Sequence, residues 1–172
     1  MKLALIILAI VFALVLLVLV IGAFLPRNHV VSRQIILHRA PSEIYETVRD
    51  FKAAPSWRSD LQRVEIVPTD DNHFRFREQG KQGSVTYDLA EDRPNEKMVT
   101  RIVYQDLGYS GTWTYTFKSE ADGTRVQITE AGEVSNILFR FMSRFVFGQS
   151  GTIEKYLTAL GKKFGESVSP QP

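Results

Sequence analysis

Two carboxylates and a hydroxyl are the groups of this chain best placed to move a proton inside it. Glu78, Glu130 and Thr100 fall at alternating positions that otherwise carry apolar side chains. Each could serve there as an acid, a base or a hydrogen-bonding group, and the competing reading is a wet strand end. The histidines offer less. His29, His38 and His73 are far apart, show no HxxxH spacing and have no carboxylate at a metal-ligand interval, so solvated side chains are expected and no metal or other cofactor. The absence of cysteine excludes disulfides, thiolate sites and a thiol nucleophile. No G-x-S-x-G turn presents a serine, and no catalytic residue is assigned.

Strands must carry these groups. After Arg63 the apolar pattern has a period of two, interrupted by turn formers every ten residues or so. Val64 to Pro68, Phe74 to Glu78, Val85 to Leu89, Met98 to Tyr104, Thr112 to Phe117 and Arg125 to Glu130 read as consecutive antiparallel strands. The turns between them fall at Asp70-Asp71-Asn72, Gly80 to Gly83, Arg93-Pro94-Asn95, Leu107-Gly108 and Asp122-Gly123. Alternation gives each strand one buried face. Trp113, Tyr115 and Phe117 share such a face, opposite Thr112, Thr114 and Thr116; Phe74 pairs with Phe76, and Val85 with Tyr87 and Leu89.

Before this run, the β-branched stretch Val30 to His38 predicts a first strand. Ala40-Pro41-Ser42-Glu43 then reads as a helix start, with proline at the first helical position and Ile44, Val48 and Phe51 on one stripe; a second short helix or turn follows at Pro55 and Trp57. From Asn136 the period returns to that of a helix, with Ile153, Tyr156, Leu157, Leu160 and Phe164 on one face of a long closing helix. Residues 167–172 read as a disordered tail.

At the other end, Leu3 to Leu25 contains no charged or strongly polar residue. As a helix it would reach about 35 Å, enough to cross a bilayer core of roughly 30 Å. A cleaved signal peptide is the rival, but its apolar region is shorter and ends in small residues, whereas here Phe24, Leu25 and Pro26 follow Ala23. The division is therefore a transmembrane anchor over 1–26, one folded domain over 27–166 and the tail. Lys2 on one side and Arg27, Arg33 and Arg39 on the other nearly balance. The short head before the anchor resembles an export signal and favours an extracytoplasmic domain.

The 21 basic and 19 acidic residues are balanced, and only Lys2 precedes the domain, so there is no excess of positive charge for nucleic acid. The segment Ile137 to Phe147 is unusual, since Asn136, Arg140, Ser143 and Arg144 confine its polarity to one narrow stripe. Burial on several sides is one reading. Contact of Phe139 and Phe147 with the bilayer, and of Arg140 and Arg144 with its headgroups, is the other.

The order of strand, two short helices, meander and closing helix resembles the helix-grip fold of the SRPBCC superfamily, the START and polyketide-cyclase-like proteins. The resemblance rests on Ala40-Pro41-Ser42-Glu43-Ile44-Tyr45, Pro55-Ser56-Trp57, Gly111-Thr112-Trp113 and Asp122-Gly123-Thr124. It implies an α+β domain whose curved antiparallel sheet wraps a long C-terminal helix, with an apolar cavity between them. It also implies a hydrophobic small molecule or lipid as partner, with Trp57, Phe76, Tyr87, Tyr104, Trp113, Tyr115 and Ile153 as its lining; ordinary core is the plainer reading of these residues. Binding at a membrane is the leading function, a cyclase or aromatase acting in the same cavity the alternative, and a ligand-independent interaction module the third. Oligomeric state is not written in the sequence.

Overall fold

The computed structural model describes residues 2–70, 73–81, 83–103, 108–148 and 150–172. Helix α1 (Lys2–Phe24) is apolar after Lys2 and exposed along most of its length, with Gly22 near its end buried. Strand β1 (Asn28–Leu37) follows it directly. Helix α2 (Pro41–Arg49) opens with proline, and the Glu43 carboxylate accepts the Ala40 N–H at 3.3 Å. Asp50 ends α2 and accepts the Ala53 N–H, starting a 3₁₀ turn over Phe51–Ser56.

Six strands then run as a meander: β2 (Leu61–Val67), β3 (Arg75–Gly80), β4 (Gly83–Arg93), β5 (Lys97–Ile102), β6 (Tyr109–Glu120) and β7 (Gly123–Val134). With β1 added beside β7 they form one antiparallel sheet in the order β1-β7-β6-β5-β4-β3-β2. Its concave face wraps α4 (Gly151–Lys163), whose Ile153, Leu157 and Leu160 are fully buried with Leu37, Met98, Val126 and Ile128 of the sheet. Each such side chain stabilises the fold by roughly 2 kcal/mol. A bulge between Leu89 and Glu91 shifts the β4–β5 register and sets Asp92 opposite Met98, where Asp92 receives the Tyr45 hydroxyl and, at 2.8 Å, the Arg49 Nε.

Two expectations are corrected. The long closing helix is broken: α3 (Ile137–Met142) passes into a π-helical turn over Ser143–Phe147 and stops at Gly148, whose φ of 73° suits glycine and ends the helix before α4 begins. The tail is not disordered. Gln171 and Gln34 exchange backbone hydrogen bonds at 2.9 Å, so the tail pairs with the edge strand β1, and Val168 packs over Gly161, where a β-carbon would come within 2.4 Å of it.

Candidate ligand-binding site

The half of the concave face nearest α1 carries an unusual density of polar and aromatic side chains. Register brings them together. Thr100, Trp113, Glu130 and Val31 stand side by side across β5, β6, β7 and β1. The Trp113 indole donates from Nε1 to Glu130 Oε2 at 2.8 Å, and His29 Nε2 lies 3.0 Å from the other carboxylate oxygen. The His29 ring lies against Gly132, where a β-carbon would approach Cε1 to 2.4 Å, so only glycine leaves it room. His29 is thus not a solvated side chain: it is 14 % exposed and held by Glu130. His38 keeps its side chain largely in solvent, 2.9 Å from Glu166.

A second polar group closes the opposite flank. Arg58, buried just after the 3₁₀ turn, donates from Nη1 to Glu78 Oε1 at 2.6 Å and from Nη2 to Asp60 Oδ2 at 2.8 Å. Its guanidinium also lies 5.1 Å from the centre of the Tyr156 ring. Burial works against the Arg58 charge, but Glu78 and Asp60 outweigh it and hold the guanidinium above its ordinary range. Burial pushes the Glu78 carboxyl upward, and Arg58 opposes that shift.

Tyr156 of α4 fills the space between these flanks. Its ring meets Trp57 at 5.3 Å, Tyr115 at 5.7 Å and Trp113 at 5.8 Å between centroids. Phe76 stacks between Phe51 at 4.0 Å and Tyr87 at 5.3 Å. Phe76, Tyr115 and Ile153 belong to the packed core, while Trp57, Tyr87 and Trp113 are partly exposed at its border. Trp57 buries its indole N–H without a hydrogen-bond partner. Tyr104 lies outside the described residues. Burial raises the ionisation of Tyr87, Tyr115 and Tyr156 well above the usual phenol range, so these hydroxyls stay neutral.

The residues expected at the membrane divide. Phe139 and Arg144 are exposed, as are Leu138, Phe145 and Val146. Arg140 requires a correction: it is 7 % exposed and turned inward, donating to the Leu25 carbonyl at 3.0 Å and to that of Ser135 at 3.3 Å. A buried guanidinium needs such acceptors; the Leu25 carbonyl lies just past the C-terminal end of α1, that of Ser135 just before α3, and the Arg140 Nε is left without a partner. The side chain of Phe147 lies outside the described residues.

Among the described residues no three His, Asp or Glu side chains gather as a metal site. Two polar surface clefts lie outside the concave face. One of about 710 Å³ is lined by His38, Arg39, Glu43 and Glu120, and one of about 360 Å³ lies between α2 and the end of α4. The concave face itself carries packed aromatic rings, neutral phenols, a fixed ion pair and a carboxylate held by two donors. Such a set can desolvate an apolar molecule and orient one polar group of it.

Residues 28–165 match the family model described as polyketide cyclase/dehydrase and lipid transport. No curated protein matches the sequence. A START superfamily protein from Mycobacterium smegmatis has the same fold, with 18 % identity, a TM-score of 0.62, and coverage of 78 % of this chain and 96 % of that one. Norcoclaurine synthase from Thalictrum flavum shares it at 12 % identity and a TM-score of 0.60, over 81 % and 87 % of the two chains. The di-domain ARO/CYC StfQ from the steffimycin biosynthetic pathway aligns at 11 % identity and a TM-score of 0.62, over 80 % of this chain; the match spans about half of StfQ, 52 %.

Proposed function

Because this chain belongs to the polyketide cyclase/dehydrase and lipid-transport family, we propose that it binds a hydrophobic small molecule or lipid on the concave face of its sheet while α1 holds the domain at a membrane. One observation carries this reading: the Trp113–Glu130–His29 group is a polar patch set among aromatic side chains at the border of the core, where a core needing only stability would be dry. Burial of the ligand's apolar surface drives binding, and the hydroxyl of Tyr87 with the Glu130 group orients its polar end. A hydrophobic anchor suits this, since apolar ligands concentrate in the bilayer. The domain is assigned to the extracytoplasmic side; protease added to intact spheroplasts checks this, and a protected domain overturns it.

Native mass spectrometry of the full chain released from lipid nanodiscs tests the binding. A retained hydrophobic molecule is expected, and its loss in a Trp113→Ala variant that still folds. A chain that stays empty with every lipid and aromatic probe offered removes the reading. The His29–Glu130 pair favours a second reading, an enzyme of the cyclase or aromatase kind, because a histidine held by a carboxylate can take a proton from a bound substrate. Turnover of a polyketide-like substrate by wild type but not by His29→Ala distinguishes the two.

A further inference from the structure

The junction between α1 and the domain is built, not merely spanned by linker. Gly22 of α1 meets α3 so closely that a β-carbon would stand 2.5 Å from the Ile137 carbonyl oxygen and 2.9 Å from its Cγ2. Three residues later, the Leu25 carbonyl receives the buried Arg140 guanidinium. The same chain then enters β1, and the Val134 N–H at the end of β7 donates to the Arg27 carbonyl at 2.8 Å. Helix α1, helix α3 and the edge of the sheet are thereby pinned to one another at three points.

Beside this junction α3 and the π-helical turn expose a run of apolar side chains. Phe145 is 60 % exposed, Val146 58 %, Leu138 51 % and Phe139 49 %. Since Arg140 turns inward, Arg144 is the cation of this segment that remains at the surface. The Phe139 ring lies 6.2 Å from that of Tyr109, the first residue of β6, so the apolar patch continues into the end of the sheet that carries His29, Trp113 and Glu130.

We infer that α3 and the π-helical turn are a bilayer-seated rim of the binding face, held by Arg140 at the depth where α1 leaves the membrane, so that an apolar ligand passes between lipid and protein without crossing water. The inference rests on α1 being a membrane anchor. The occupant of the patch is the bilayer interface because the patch is continuous with the end of α1, and a contiguous exposed group of this size is costly in water. A single exposed arginine beside phenylalanines matches a headgroup boundary better than a protein partner with a polar rim.

The chain has no cysteine, so one introduced cysteine labels one site. The experiment uses the full chain in phosphatidylcholine–phosphatidylglycerol nanodiscs, with a nitroxide at Leu138→Cys, Phe145→Cys, Leu14→Cys in α1 or Ile36→Cys on β1. Collision with oxygen against a water-soluble nickel chelate reports lipid or water. Sites 138 and 145 are expected to favour oxygen, as site 14 does, while site 36 favours nickel. Water at 138 and 145 with lipid at 14 overturns the inference and leaves the anchor standing; water at 14 overturns both. A second measurement addresses the joint. In Arg140→Gln the distance distribution between labels at 14 and 36 is expected to broaden at least twofold, and an unchanged width removes Arg140 from the lock. Should that variant not fold, the collision profile of the otherwise wild-type chain still decides the seat of the rim.

Discussion

Trp113 and Glu130 face each other across β6 and β7, and the indole N–H of one ends on a carboxylate oxygen of the other at 2.8 Å. The second oxygen is taken by His29. Glu130 therefore satisfies two side chains at once, and its removal leaves an indole donor and an imidazole without their partner.

Glu130→Ala is expected to destabilise the domain by about 1–3 kcal/mol, the usual cost of orphaning a buried donor. Glu130→Gln, whose amide oxygen can still accept from Trp113, should lose less. Urea unfolding of the full chain, followed by tryptophan emission, checks the order; equal losses would mean that the carboxylate charge, not the acceptor, matters.

Arg58 and Glu78 form a buried pair of the kind that is costly to break and cheap to replace. Arg58→Met alone leaves the Glu78 carboxyl buried without its countercharge and should cost about 3–5 kcal/mol, while Arg58→Met with Glu78→Leu should recover most of it. A double-mutant cycle on the unfolding midpoints reads the difference directly.

Alkaline stability follows the tyrosines. Burial, joined by the hydrogen bond to Asp92, pushes Tyr45 up from 10.0 to about 12. Burial also raises Tyr87, Tyr115 and Tyr156 above the phenol range. Unfolded tyrosine ionises first, so unfolding releases protons above pH 10, and stability present below that value falls as pH rises through the folded values. Tyr45→Phe should differ most from wild type below pH 10 and converge on it towards pH 12. Unfolding midpoints across that range, with tyrosinate absorbance, provide the test.

Gly161→Ala places a β-carbon against Val168 and should displace the tail. Hydrogen exchange at the Gln34 and Gln171 amides, which bridge β1 to the tail, is expected to accelerate at least tenfold while amides in the middle of β6 stay protected.

The strands were legible because each shows period-two alternation between turn formers, and the parity of Glu78, Glu130 and Thr100 placed them on the concave face where they lie. The break at Gly148 was not legible. Ile137 to Phe147 is apolar nearly all round, so its pattern names no face and no end. The role of His29 is not legible because its partner is 101 residues away and is found only through the β1–β7 register. Arg58 is, in the sequence, a lone arginine after Trp57 with no pattern to mark it. Glu78 was the available signal, since a carboxylate on an apolar face demands a countercharge. In the sequence Tyr156 is one residue of a helical stripe, and only the curvature of the sheet makes it the point where three aromatic rings converge.

The Gly22–Ile137 contact gives α1 a geometric role besides reach. A helix clasped on one face and bonded at its last turn cannot spin independently of what it carries. It behaves as an axle: the azimuth of Gly22 sets the compass direction in which the concave face looks about the axis of α1. Two such chains paired through any given face of α1 would hold their concave faces at one fixed angle to each other.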